Sequence, residues 1–258
     1  MKKKLVLFGA ISLLTFNIAC SATTNRNSRS EKPGLTGIIE TNPIKVVKGP
    51  GTVYDISINQ IQRIYHQFAK TTQKEDVHLY VDGKLYDIGF AEKTGSVIID
   101  SDYTIKLLKE KHPNSKNVIF IHPHPLNNVD SEEIRPPNNQ DIWTYATLKT
   151  KIRKETGINL EAVIYDGRGV WTYEITEKFE SEVNKSILYQ KKQLEEGKAP
   201  IFTTGTGNLY HDIFFTLLNK LEKKILEDNS LSREEQIKKY IEEIKKLDII
   251  FTYTPLEK

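Results

Sequence analysis

A short apolar run that ends in two histidines constrains this sequence more than any other feature. Val118–Ile121 is apolar and short, which predicts a buried strand. His122 and His124 follow at once, with Pro123 between them. Alternate residues of a strand point to the same side, so we expect the two imidazoles to converge and Pro123 to point away. The chain must therefore fold around a strand end that presents two imidazoles.

A carboxylate follows near the start of the next helix. Helical spacing predicts a helix over residues 139–155, which stops at Gly157. Asp141 falls in or near its first turn, and Asn138 precedes it in a capping arrangement. Two imidazoles and one carboxylate suit a metal ion with an open fourth position. The single cysteine, Cys20, follows an N-terminal targeting pattern in which it would be lipidated, so no thiol remains for ligation and a metal site must use histidine and carboxylate ligands.

Helices and strands alternate through the middle of the chain, which predicts the α/β (α+β) class with a mixed β-sheet flanked by helices. A capping box at Ser57–Gln60 predicts a helix over residues 58–72. The remaining predicted elements are strands Val77–Val81 and Leu85–Phe90 around a turn at Asp82-Gly83-Lys84, a possible strand Gly95–Ile99, a helix Asp102–Lys111, and strands Ala162–Tyr165 and Gly169–Ile175.

The character of the sequence changes after Thr176. Three amphipathic helices with strongly charged outer faces are predicted, so we assign residues 51–176 to one domain and 177–258 to a C-terminal helical extension. The second of these helices carries an apolar stripe at Leu209, Ile213, Leu217, Leu221 and Ile225. An appendage packed on the core and a coiled-coil partner site both fit this pattern.

The N-terminus has the pattern of a targeting segment. Lys2–Lys4 is basic, Leu5–Ile18 is mostly apolar but shorter than the ~20 residues of a membrane span, and Cys20 follows. Residues 1–20 resemble a bacterial lipoprotein signal with Cys20 as the lipidated residue, although Asn17 replaces the usual leucine. An ordinary secretory signal and an uncleaved anchor are the alternatives. The polar residues 21–50 predict a flexible tether, and we expect an exported lipoprotein anchored in the bacterial cell envelope.

The His-x-His-Pro sequence and the later Asp141 resemble the JAMM/MPN+ (JAB) metalloprotease domain and its bacterial RadC-like relatives, over about residues 55–175. The resemblance implies a JAB/MPN-like fold with cytidine-deaminase-like layering, and Zn²⁺ held by His122, His124 and Asp141. It also implies an upstream glutamate as general acid and base. Glu75 fits, because it precedes the first predicted strand and lies 47 positions before His122; Glu92 is the second choice.

Two departures from the family pattern bear on activity. Asn138 stands where the family has a serine that stabilises the oxyanion, and an asparagine amide can also donate a hydrogen bond there. The stretch from His124 to Asp141 is longer than in the family. Its extra residues include Asp130, Glu132, Glu133 and Arg135, and they could select substrates or close the site.

Two functions of different classes follow. The first is a membrane-tethered zinc hydrolase that cleaves a peptide or isopeptide bond in a peptide or protein substrate. The second is a non-catalytic MPN-like binding or scaffold lipoprotein. RadC-like relatives were once tied to DNA repair, but a net charge of +3 from 37 basic and 34 acidic residues makes no case for nucleic acid as a partner.

Overall fold

The structure, a computed structural model, describes residues 16–19, 46–47, 53–71, 77–93, 96–124, 135–196 and 209–256. Its strands are β1 (Phe16–Ala19), β2 (Val46–Val47), β3 (Val53–Asp55), β4 (His78–Val81), β5 (Lys84–Asp87), β6 (Gly89–Lys93), β7 (Ser96–Ile99), β8 (Asn117–Pro123), β9 (Asn159–Tyr165), β10 (Gly169–Ile175) and β11 (Ile249–Pro255). Its α-helices are α1 (Ile58–Thr71), α2 (Ser101–Lys111), α3 (Asn139–Thr156), α4 (Glu177–Glu195), α5 (Leu209–Leu226) and α6 (Arg233–Ile244), and a 3₁₀ turn spans Lys245–Leu247.

Eight strands form one mixed sheet in the order β11-β10-β9-β8-β4-β5-β3-β2. Strands β8 and β9 are parallel, and the other neighbours are antiparallel. A parallel pair needs a crossover, and α3 supplies it between β8 and β9. A smaller sheet has the order β1-β7-β6. The mixed sheet with flanking helices confirms the predicted fold class.

Each face of the large sheet packs into a different apolar cluster. Val118 and Phe120 of β8 lie in the larger cluster, which also contains α3 residues, whereas Ile121 lies in the smaller cluster with α1. Side chains alternate across a strand, so the α3 side receives the even-numbered residues of β8. Phe120 and His122 are in edge contact on that side, with ring centroids 5.5 Å apart. The alternation of one strand thus decides that the imidazoles face α3.

The predicted starts of α1 and α3 and the predicted end of α3 are confirmed, and each has a local cause. The Ser57 N–H donates to Gln60 Oε1 over 2.9 Å at the start of α1. Helix α3 begins at a complete capping box and ends at Gly157, whose φ of 74° is the left-handed conformation that glycine adopts without strain. Residues 141–150 of α3 are all buried. This helix is therefore enclosed rather than laid on a surface.

The C-terminal region differs from the prediction in two ways. Its three helices are present, but the segment is not helical throughout, because β11 returns to the large sheet and pairs with β10, with Tyr173 opposite Phe251. In α5, Phe214 and Leu218 are buried while Ile213 and Leu217 of the predicted stripe are exposed. Packing of α5 against Trp143 and α4 selects the adjacent stripe.

Several predictions fall outside the described residues. These are Cys20, nearly all of the tether over residues 21–50, Glu75, and the acidic residues Asp130, Glu132 and Glu133. Strand β1, which pairs with β7, lies within the predicted targeting segment. Among the described helices, none combines the length and the apolar character that a membrane span requires.

Candidate metal centre

The end of β8 holds both histidines between two neighbouring strands. In the parallel pairing with β9, His122 lies opposite Ile164. The backbone N–H of His124 continues this pairing and donates to the Tyr165 carbonyl over 2.7 Å. On the other side, β4 places His78 opposite Ile121. The backbone that carries the two imidazoles is therefore fixed by interstrand hydrogen bonds and does not lie in a free loop.

The capping box of α3 orients the carboxylate. The Asn138 N–H donates to Asp141 Oδ2 over 2.7 Å, and Asn138 Oδ1 accepts from the N–H groups of Gln140 and Asp141 at 2.8 and 3.1 Å. These bonds satisfy N–H groups that a helix start leaves without partners. They also restrict the Asp141 side chain, so a local helix signal positions a functional group.

The structure brings His122, His124 and Asp141 together. His122 Nε2 lies 3.3 Å from His124 Nε2 and 3.3 Å from Asp141 Oδ1, and His124 Nε2 lies 3.0 Å from Asp141 Oδ2. All three residues are buried. Their ligand atoms form a group of the size that can hold a metal ion, which confirms the predicted convergence.

One hydrogen bond selects the tautomer of His124. His124 Nδ1 lies 3.1 Å from the Arg135 carbonyl oxygen, which can only accept. Nδ1 is therefore the protonated nitrogen, and in the neutral ring Nε2 carries the lone pair. A backbone carbonyl behind the ring is a common way to orient a metal-ligating histidine.

The charges in this group depend on one another. Burial alone would raise the pKa of the Asp141 carboxyl, but the His124 and His122 imidazoles outweigh it and hold that pKa well below its ordinary value. Among the described residues, His122 Nδ1 and Asp141 Oδ1 are buried without a hydrogen-bond partner. Buried polar atoms are rarely left unsatisfied, so Asp141 Oδ1 fits a cation bound among the three side chains; His122 Nδ1 is the ring nitrogen that does not face this group.

Sequence reasoning did not find two further groups beside Asp141. The Tyr173 hydroxyl on β10 is buried without a hydrogen-bond partner among the described residues, and burial and then the Asp141 charge raise its pKa. Glu222 on α5 interacts electrostatically with both Asp141 and His124. Glu222 lies outside the apolar stripe predicted for this helix, so the sequence carried no signal for it, and nothing in the local sequence marks Tyr173.

The proposed base Glu75 and the cysteine Cys20 lie outside the described residues, and the Glu92 side chain is also not described. The nearest described part of the Glu75 segment is Val77, which is buried in the larger cluster on the α3 side of the sheet. The end of β4 that follows Glu75 thus lies beside the end of β8 that carries the histidines.

A second cluster of polar residues has a structural arrangement. The His112 ring bonds Asp82 Oδ2 through Nδ1 at 2.7 Å and the Tyr86 hydroxyl through Nε2 at 2.8 Å. Ser115 Oγ donates to Asp82 rather than to the imidazole. Because both ring nitrogens are engaged and the serine is not paired with a base, this cluster joins the β4–β5 turn to the end of α2 and is not a nucleophilic site.

These features define the chain as an α/β protein with a buried His₂Asp group that can hold a metal ion. Comparisons of the chain with protein-family models, with curated proteins and with solved structures found no match.

Proposed function

We propose that this protein is a membrane-tethered zinc metallohydrolase of the JAMM type that cleaves a peptide or isopeptide bond. The single observation that carries the proposal is the convergence of His122, His124 and Asp141 at one strand end. The resemblance of the His-x-His-Pro sequence to JAMM domains supports the reaction class, and the tether is proposed from the lipoprotein-like segment that ends at Cys20.

The separations of the ligand atoms are compatible with zinc. Tetrahedral zinc with bonds of about 2.0–2.1 Å places its ligand atoms about 3.3 Å apart. His122 Nε2 lies 3.3 Å from both His124 Nε2 and Asp141 Oδ1, and the second carboxylate oxygen, Asp141 Oδ2, lies 3.0 Å from His124 Nε2. Three protein ligands leave one position for water or substrate, which is the arrangement of catalytic rather than structural zinc sites. When bound, such an ion supplies a Lewis acid that activates water and polarises a carbonyl.

The remaining chemistry belongs to side chains of this chain. In the proposed reaction, a water oxygen forms a bond to the carbonyl carbon while Glu75 accepts the proton of that water. The C–N bond then breaks, and Glu75 delivers the proton to the leaving amine. Asn138 donates its side-chain amide to the carbonyl oxygen, a role compatible with its Oδ1 serving the helix cap. Val77, two residues after Glu75 in the sequence, is buried on the α3 side of the sheet.

The proposal is tested by measuring zinc and hydrolysis separately. We expect one zinc ion per wild-type chain, loss of zinc in His122→Ala, and retained zinc with lost hydrolysis of a peptide and isopeptide library in Glu75→Gln. His112→Gln is the matched histidine control and should retain zinc, because His112 bonds Asp82 and Tyr86 instead. Equal zinc in wild type and His122→Ala would refute the metal site, and unchanged hydrolysis in Glu75→Gln would refute the role of Glu75.

A second candidate is a non-catalytic, metal-dependent binding protein, and the burial of the ligands favours it. His122 and Asp141 have no exposed surface and His124 is 3% exposed. Cobalt in place of zinc separates the two candidates. Added azide should change the visible absorption of the cobalt protein if one coordination position is open to small molecules, and should leave it unchanged if the position is closed.

A further inference from the structure

Glu222 lies on a face of α5 where its neighbours one turn away are apolar. Leu218, one turn earlier, and Ile225, one turn later, are both buried in the larger apolar cluster. Residues at this spacing share one face of a helix, so Glu222 lies in the inward stripe between them. Glu222 is half-buried. Partial removal of a carboxylate from water is costly unless something compensates its charge, so its position requires an explanation.

The first turn of α3 lies against the turn of α5 that precedes Glu222. Asn139 Nδ2 donates to Asn219 Oδ1 over 2.7 Å. Asn139 is two residues before Asp141, and Asn219 is three residues before Glu222. This contact agrees with the electrostatic interaction of the Glu222 carboxyl with Asp141 and with His124. The C-terminal region therefore brings a second carboxylate to the side of the metal centre.

Tyr240 of α6 forms a hydrogen bond with Glu222. Its hydroxyl donates to Glu222 Oε1 over 3.4 Å, and its ring is fully buried in edge and tilted contacts with Trp171 and Phe251. Burial raises the pKa of Glu222 to about 7; the Tyr240 hydrogen bond opposes this, the Asp141 charge adds to it, and the His124 imidazole opposes it. The Tyr240 hydrogen bond and the His124 imidazole together do not offset the effect of burial on the Glu222 carboxylate.

A divalent cation at the three ligands would supply compensating positive charge. Two neutral imidazoles, one carboxylate and a divalent ion carry a net charge of +1, and burying an uncompensated charge is unfavourable. A second carboxylate nearby makes the buried centre neutral. Among the described residues, the group with ligand atoms within 4.8 Å of one another does not include Glu222, so its carboxylate acts beside the ligands.

We propose that Glu222 is the charge-balancing carboxylate of the metal centre, supplied by the C-terminal helices to strengthen binding of the cation held by His122, His124 and Asp141. This inference rests on the proposed metal site. It makes the C-terminal region part of that site, and it assigns Glu222 a positioning and electrostatic role rather than a catalytic one.

The test measures zinc affinity of the full chain by competition with a chromophoric chelator, with no activity assay. We expect Glu222→Gln to weaken zinc binding by about 10- to 100-fold, as loss of outer partners of metal sites does. Glu222→Asp keeps the charge and should retain most of the affinity. Glu227→Gln removes one negative charge from an exposed residue just after α5 and should change the affinity by less than about twofold.

The outcomes distinguish this inference from the metal site on which it rests. Wild-type zinc binding that His122→Ala abolishes and Glu222→Gln leaves unchanged would overturn the role of Glu222 alone. Absence of zinc binding by the wild type would overturn both proposals. Equal loss of affinity and of melting temperature in Glu222→Gln and Glu222→Asp would show that Glu222 acts through packing, and would also overturn the inference.

Discussion

The backbone N–H of Asn138 donates to Asp141 Oδ2 over 2.7 Å, so the carboxylate that faces two imidazoles also closes the capping box of α3. Its other oxygen, Oδ1, lies 3.3 Å from His122 Nε2. A helix cap is set by neighbouring residues, whereas a metal ligand must reach a distant strand. Asp141 performs both tasks, so a change that weakens the helix cap should also weaken metal binding.

Asn138→Ala is expected to affect both stability and metal binding. The substitution removes the acceptor for the N–H groups of Gln140 and Asp141, which should lower the free energy of unfolding by about 1 kcal/mol. It should also weaken zinc binding by about tenfold, because the cap restrains Asp141. Urea denaturation and chelator competition measure the two effects.

Ser232→Ala is the matched control for that cap. Ser232 forms the same capping box with Glu235 at the start of α6, a helix that provides none of the three ligands. We expect a similar loss of stability and no change in zinc affinity. Equal zinc affinities for the Asn138→Ala and Ser232→Ala proteins would contradict the proposed link between cap and ligand.

Removal of metal should lower stability through mass action. A ligand at 100 times its dissociation constant stabilises the folded state by about 2.7 kcal/mol, so zinc should raise the melting temperature and a chelator should reverse the rise. Asp141→Asn should abolish this response. Asp102→Asn, in the exposed first turn of α2, should preserve it, and a full zinc response in Asp141→Asn would refute the ligand assignment.

His78 should make the protein sensitive to acid. Burial lowers the pKa of His78 from 6.5 to about 3, and its Nδ1 pairs with the Tyr65 hydroxyl at 2.6 Å. Between these values the unfolded chain binds the proton and the folded chain does not. The contribution to stability is therefore complete above pH 6.5 and falls as pH decreases towards 3, by up to about 1.4 kcal/mol per pH unit.

The double variant Tyr65→Phe/His78→Leu tests this acid sensitivity, because it removes the imidazole without leaving a buried hydroxyl unpaired. We expect its stability to fall less than that of the wild type between pH 6.5 and 4.5. The single variant Tyr65→Phe should keep the wild-type slope. Identical slopes for the double variant and wild type in urea denaturation would show that His78 is not responsible.

Glu222 should have the opposite pH dependence in the metal-free protein. Burial raises its pKa from 4.5 to about 7, so the folded state binds the proton more strongly than the unfolded chain. The resulting stabilisation is complete below pH 4.5 and is lost as pH rises through about 7. Glu222→Gln should therefore lose less stability than wild type between pH 5 and 8, by on the order of 1–3 kcal/mol. Glu227→Gln should follow the wild type, and a wild-type slope in Glu222→Gln would contradict the raised pKa.

Gly169 leaves room for the Tyr253 ring of the neighbouring strand β11. A Cβ at this position would clash with that ring, and Tyr253 packs on Trp171 with ring centroids 4.5 Å apart. Gly169→Ala should lower the free energy of unfolding by about 1–3 kcal/mol through overpacking. In a Tyr253→Ala background the same substitution should cost much less; an equal cost in both backgrounds, measured by urea denaturation, would exclude the clash.

Local patterns in the sequence predicted the framework of the site. The apolar run before His122 predicted β8, and the period of two predicted that His122 and His124 share a face. Asn138 and Asp141 predicted the start of α3, and Gly157 predicted its end. These features depend on neighbouring residues, so a linear reading could find them. The meeting of Asp141 with the histidines was a hypothesis from the residue types, supported by the resemblance to JAMM domains, since a pattern alone does not specify a contact across a crossover.

The sequence by itself therefore determined the strand, the shared face of the histidines and the capped helix that carries Asp141. Only the tertiary structure decided which side of α5 is buried, that β11 joins the sheet, and that Glu222 and Tyr173 interact electrostatically with Asp141. Two adjacent stripes of α5 are similarly apolar. Which of them is buried depends on packing partners such as Trp143, which is distant in the sequence. Contacts of that kind have no local signature, because they arise only when separate elements pack.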